Sequence, residues 1–171
     1  AKTYMTKITV QYESDKVEYK EKVTVGASGC DYTSINDALD AVRKMDRPNG
    51  ERVTIEIQPG DYEEMLVVDT PNVTLKNANA DPSIMPINKG LDIEESSVRI
   101  TPYYGHGFAY YSMGSDCKWN ADILAANKEN GCLSFENPGT GTTSGSYWNA
   151  TVVIGADGFE ADGIIFENSF N

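Results

Sequence analysis

The 171-residue chain holds a single histidine, His106, only two glutamines, Gln11 and Gln58, and three cysteines. One imidazole excludes a multi-histidine metal site, and a serine triad within the chain would depend on His106 alone. That residue lies in Tyr104-Gly105-His106-Gly107, where the glycines predict a loop, and no Gly-x-Ser-x-Gly elbow is present. Cys30, Cys117 and Cys132 form no Cys-x-x-Cys pair. They fit one disulfide plus a free thiol, or three small apolar residues, equally well. No apolar run nears the roughly 20 residues of a membrane-spanning helix, so no membrane span is predicted. Ala1-Lys2-Thr3-Tyr4 leads into a polar stretch with no signal-peptide pattern, as in a mature or trimmed chain.

Positive charge is also scarce. Fourteen Lys and Arg face 26 Asp and Glu, a formal net charge of −12. A nucleic-acid or anionic-lipid surface needs a basic patch, so neither is predicted as a partner. Hydrophobic residues make up 40% of the chain, and ten are tyrosines, which is too much apolar material for a disordered segment.

Two pieces near the start alternate polar and apolar residues: Lys7-Ile8-Thr9-Val10-Gln11-Tyr12 and Glu18 through Val25. Each predicts a strand with one wet face, with Ser14-Asp15 as a turn. Residues 1–22 read as an extension, and 23–171 as the main domain. One helix is predicted near 34–45. Ser34 or Thr33 can cap it, and Ile35, Ala38, Leu39 and Val42 fall on one stripe at helical spacing. Arg47-Pro48-Asn49-Gly50 stops it.

From residue 52 the pattern becomes short strands with tight corners. Val53–Ile57, Met65–Val68, Val73–Leu75, Ser97–Ile100, Cys132–Phe135, Thr151–Ile154 and Gly163–Phe166 alternate with Gly, Asn, Asp and Pro. The fold class is all-β. Corners too tight for sandwich crossovers, and no hairpin dipeptides between neighbours, favour a right-handed parallel β-helix over a sandwich. Thr54 to Leu75 would be one coil, Thr151 to Phe166 two faces of another, and the helix a plug over the open first coil.

Two loops are unusual. Tyr103, Tyr104, Phe108, Tyr110, Tyr111 and Trp119 crowd residues 103–120, which suits either a sugar-stacking surface or a cover for the strands. The Gly-, Thr- and Ser-rich stretch 137–148 has no following Lys and no helix start, so it is not a phosphate loop. No cofactor or metal motif is found.

The order of segments resembles the pectin methylesterases (pectinesterases), nearer the bacterial branch because of the long aromatic insertion. The resemblance rests on Val25-Gly26-Ala27-Ser28-Gly29-Cys30-Asp31-Tyr32-Thr33-Ser34-Ile35 through Leu39, on Val53-Thr54-Ile55-Glu56-Ile57-Gln58-Pro59-Gly60-Asp61-Tyr62-Glu63-Glu64, and on Asn149 through Ile154 with Gly158 through Asn168. It implies a parallel β-helix in a secreted, extracellular protein acting on methylated homogalacturonan in pectin. Family chemistry uses an Asp nucleophile, a second Asp as acid and base, glutamines at the oxyanion and an orienting Arg. The chain has no Gln-Ala-x-Ala and no Gln-Asp-Thr segment. No catalytic residue is therefore assigned to it, neither Asp157 nor Asp162 included, and the chain by itself is expected to be inactive.

The resemblance also implies a substrate contact thirteen residues before Phe159, which is Ser146, with Tyr147 beside it and Thr143 and Trp148 as further cleft candidates. Expected partners are pectin, and either a C-terminal catalytic portion or a second copy covering the open coil end. A non-catalytic carbohydrate-binding module is the first alternative. The second is a fragment of another β-helix enzyme such as a Ca²⁺-dependent pectate lyase, although no compact acidic cluster stands out.

Overall fold

The computed structural model describes residues 17–84, 86–87, 92–102, 122 and 150–168. These residues form a mostly β structure of parallel sheets. Period-two alternation builds the first sheet: β1 (Lys22–Val25), β2 (Val53–Ile57), β5 (Val73–Asn77) and β10 (Glu160–Asp162) lie in that order, all parallel. A second sheet stacks β3 (Gly60–Tyr62), β8 (Val98–Ile100) and β11 (Ile164–Phe166). The third pairs β4 (Leu66–Val68) with β9 (Val152–Ile154). From β2 to β9 and on to β11 the chain visits the three main sheets in a fixed rotation, first, second, third, and then the first again, whereas β1 leads through α1 straight back to the first sheet.

The first circuit is short, because Val53 pairs directly with Val73. The next is far longer, since Thr74 pairs with Glu160. It contains residues 103–149 and a small antiparallel pair, β6 (Pro86–Ile87) with β7 (Asp92–Ile93). Two-residue strands are too short to show a period, which is why the sequence pattern passes over that pair. β10 is passed over as well, because Glu160-Ala161-Asp162 is exposed and carries no apolar alternation. Residues 151–166 therefore hold three strands on three sheets rather than two faces. Gly60-Asp61-Tyr62, read as a corner, is also a strand. The predicted strands at 7–12 and 132–135 lie outside the described residues.

Strands of three to five residues cannot bury much alone, so burial comes from stacking. Val23, Ile55 and Leu75 share a register position and are all essentially inaccessible; Ala161 continues that row. Leu66, Val68, Val98 and Ile100 close the same core from the other two sheets. Each such side chain contributes roughly 1.5–3 kcal/mol by leaving water. The row opens at the far end: Ile154, in register with Val68, is 46% exposed, and Phe166, in register with Ile100, is 36% exposed.

The opposite end is covered by α1 (Ile35–Lys44), which packs Ile35, Ala38, Leu39, Ala41 and Val42 into the core against β1, β2 and β4. All four leading N–H groups of this helix are satisfied. Ile35 N and Asn36 N donate to the two oxygens of Glu64, each at 2.9 Å. Asp37 N donates to Ser34 Oγ at 3.1 Å, and Ala38 N to the Ser34 carbonyl at 3.3 Å. The helix in turn satisfies the strand it covers: Asn36 Nδ2 donates to the Met65 carbonyl at 3.2 Å and Arg43 Nη2 to the Val67 carbonyl at 3.0 Å. An exposed parallel edge invites pairing with another chain, and these side chains occupy it.

Corners stack as strands do. Asn72 has φ 58° and Gly158 φ 73°, one above the other before β5 and β10, with Gly50 (φ 68°) on the Asn72 side. Asn72 Nδ2 donates to the Gly50 carbonyl at 2.7 Å, which holds its Oδ1 where a Cβ on Gly158 would collide. Gly29, at φ 69°, has nothing within 4 Å of its Cβ position.

These contacts separate two costs. Gly29→Ala bears only the left-handed backbone penalty, about 1–2 kcal/mol, whereas Gly158→Ala adds the clash with Asn72 and loses more. Urea unfolding of both variants should place the Gly158 variant clearly below the Gly29 variant. In the same measurement Glu64→Ala should lose about 1–3 kcal/mol by stranding two helix N–H groups, with Glu64→Gln intermediate.

Candidate functional site

The second resembling segment turns sharply where β2 gives way to β3. Gly60, at φ 151°, occupies a backbone region closed to side chains, and Pro59 precedes it. Facing this corner is the loop that follows β1. Its shape is set by a reciprocal clasp: Thr24 N and Thr24 Oγ1 both donate to Asp31 Oδ2, at 2.9 and 3.0 Å, while Asp31 N donates to Thr24 Oγ1 at 2.9 Å. Gly26 is needed beneath it, because a Cβ there would stand 2.8 Å from Gln58 Cγ and 2.9 Å from Cys30 Sγ. Between loop and corner opens a cleft of about 560 Å³ lined by residues 27–30, Thr33 and residues 58–62. That size falls within the roughly 300–1,000 Å³ range of small-molecule sites.

Its chemistry is mixed. Cys30 carries a free, half-buried thiol. Tyr62 presents its ring while its hydroxyl donates to the Gln58 carbonyl at 2.7 Å. Burial raises the Tyr62 phenol above its ordinary value of 10.0, and negative charge at Cys30 and Glu64 adds to the rise, so it remains a donor. Asp61 stands at the rim with each carboxylate oxygen accepting from Arg99, Nε and Nη2, both at 2.9 Å. This two-point pair fixes the carboxylate plane. Arg99 is buried, with its side chain 8% exposed, and Glu167 Oε2 lies 3.5 Å from its Nη1. Hydrogen bonding to Asp61 is the main reason its guanidinium is held above its ordinary value despite burial.

Ser146, Tyr147, Thr143 and Trp148, the substrate contacts implied by resemblance, lie outside the described residues, as do His106, Cys117, Cys132 and the aromatic stretch 103–120. Asp162 is on the outer surface of β10, 3.9 Å from Lys76 Nζ, and the Asp157 carbonyl accepts from Asn72 N at 2.9 Å. Both serve the stack. Among the described residues no group of three or more His, Cys, Asp or Glu side chains is arranged to hold a metal ion. No helix among them is long and apolar enough to cross a membrane.

No protein-family model, curated protein or solved structure matches the chain. The cleft therefore rests on its own geometry. Sequence reading assigned no site role to Cys30, Gln58, Asp61 or Tyr62. The available signal was Gly26, Gly29 and Gly60 set among polar residues: Gly26 admits the close side chains of Gln58 and Cys30, and Gly29 and Gly60 take positive-φ turns.

The clasp carries a pH dependence. Thr24's donors hold the Asp31 carboxyl below its ordinary value of 3.8, the backbone N–H foremost. A depressed folded-state value stabilises the protein above the unfolded value, and the gain is lost as pH falls through the folded one. Denaturant unfolding should show wild type more stable than Asp31→Asn above about pH 5, with the gap closing progressively below about pH 3.8.

Proposed function

We propose that the chain forms the first coils of a right-handed parallel β-helix of the pectin methylesterase kind, with α1 as the plug of the first coil. Its polymer is methylated homogalacturonan, and the setting is extracellular. The observation that carries this reading is how the three resembling segments meet. The first supplies the end of β1, the clasped loop and the start of α1; the second supplies β2, β3 and Glu64; the third supplies β9, β10 and β11. Glu64 of the second segment caps the helix of the first, and Gln58 N donates to the Val25 carbonyl at 2.8 Å. β10 of the third extends the sheet that β1 and β2 begin. The segments on which the resemblance rests thus supply strands to all three main sheets of one stack and the start of the helix that caps it.

Ester hydrolysis needs two carboxylates of divergent acidity and donors aimed at the tetrahedral oxygen. With glutamine only at positions 11 and 58, the chain lacks the family's oxyanion motifs. The reaction is assigned instead to further coils over β9, β10 and β11, supplied by a C-terminal catalytic portion; a second copy of this chain could cover that end but would lack the same motifs. The exposure of Ile154 and Phe166 at that end favours such a cover.

Methanol release from methylated homogalacturonan tests the reading, measured on the 171-residue chain and on the full product of its gene. Release is expected only where the missing carboxylate pair and glutamines are present. Turnover by the 171-residue chain alone, or a full product without activity, overturns it.

A further inference from the structure

The cleft between the clasped loop and the β2–β3 corner combines groups that suit one class of ligand. Tyr62 lines it next to Gly60, where an added Cβ would be in ordinary contact with the ring, 3.9 Å from Cε2. The Tyr62 ring and Pro59 give the cleft an apolar wall, on which the C–H face of a pyranose can pack. Around that wall stand hydrogen-bonding groups of both kinds. Asp61, its plane fixed by Arg99, retains acceptor lone pairs for hydroxyl donors. The Gln58 amide and the Thr33 hydroxyl are exposed at the same opening and supply donors and acceptors.

Charge decides which pyranose. Arg99, the cation behind the cleft, is buried and already shared between Asp61 and Glu167. Among the described residues no Lys or Arg lines the opening, so Asp61 leaves it electronegative. A sugar carboxylate placed there would meet a carboxylate with no free counter-charge, while an uncharged sugar meets only hydroxyl acceptors and donors.

We propose that this cleft binds one neutral pyranose unit and disfavours its uronate counterpart. The site uses none of Ser146, Tyr147, Thr143 or Trp148 and does not depend on the esterase reading. Sugar binding with no methanol release, and methanol release with no binding here, would be separate results.

The full 171-residue chain is titrated with methyl β-D-galactopyranoside and, separately, with its C6-oxidised counterpart, methyl β-D-galactopyranosiduronate. Amide chemical shifts are followed for Cys30, Thr33, Gln58 and Tyr62. The neutral sugar should shift these amides, with a Kd of order 1 mM, as a single shallow subsite allows. The uronate should bind severalfold more weakly near neutral pH and recover as its carboxyl is protonated. Gln58→Ala removes an exposed amide together with the Cγ that lies over Gly26, and should leave the melting temperature nearly unchanged. It should weaken the neutral sugar about fivefold, the ratio that about 1 kcal/mol for one lost hydrogen bond corresponds to. Asp61→Asn perturbs the buried Arg99 and is not the deciding variant. Equal affinity for both sugars, no shifts at the cleft, or a Gln58→Ala variant that binds as wild type would each overturn the proposal.

Discussion

Val23, Ile55 and Leu75 stand one above another at zero or near-zero exposure, and the molecule depends on that vertical contact. A strand of three to five residues has too little surface to offset the entropy of ordering it. Repeated in register on neighbouring strands, the same residues form a continuous apolar column. Parallel pairing then follows from the rotation of the chain through its three sheets, because each return brings the next strand in with the same direction.

A stack built this way has two ends, and they are treated differently. At the first, α1 lays its apolar stripe on the column, while Asn36 and Arg43 donate to carbonyls beside and within β4. Glu64, from the segment leading into that strand, completes the helix by accepting from its first two N–H groups. Helix and strand edge thus settle each other's unpaired backbone. At the other end the inward row reaches the surface as Ile154 and Phe166. The asymmetry is what connects the fold to a reading in which further coils carry the chemistry.

Electrostatics shapes the corner where the candidate site lies. Asp31 is fixed by Thr24, and Asp61 by Arg99, so both walls of the cleft are held by carboxylates whose partners are specified. Arg99 is buried because its charge is matched by Asp61 and approached by Glu167 from β11's end of the chain. One guanidinium thereby ties three levels of the second sheet together. It also leaves the cleft without a free cation, which gives the opening its sign.

Local pattern was enough for the helix, since the stripe from Ile35 to Val42 and the Ser34 cap need only neighbours in sequence. It was enough for β2 and β5 for the same reason. It could not reveal β10, whose residues are exposed and carry no apolar alternation, nor the β6–β7 pair, which is too short to have a period. The cleft was likewise beyond it: Thr24 and Asp31 are close in the chain, but Cys30 and Asp61 share one lining, and Asp61 meets Arg99, only after strands of the first two sheets have assembled. The sequence by itself determined short strands, one helix and an acidic surface, because spacing and composition are local quantities. Which strands pair, what caps α1 and which side chains face one opening were decided by tertiary structure, because register is set by the column of buried residues shared among distant segments.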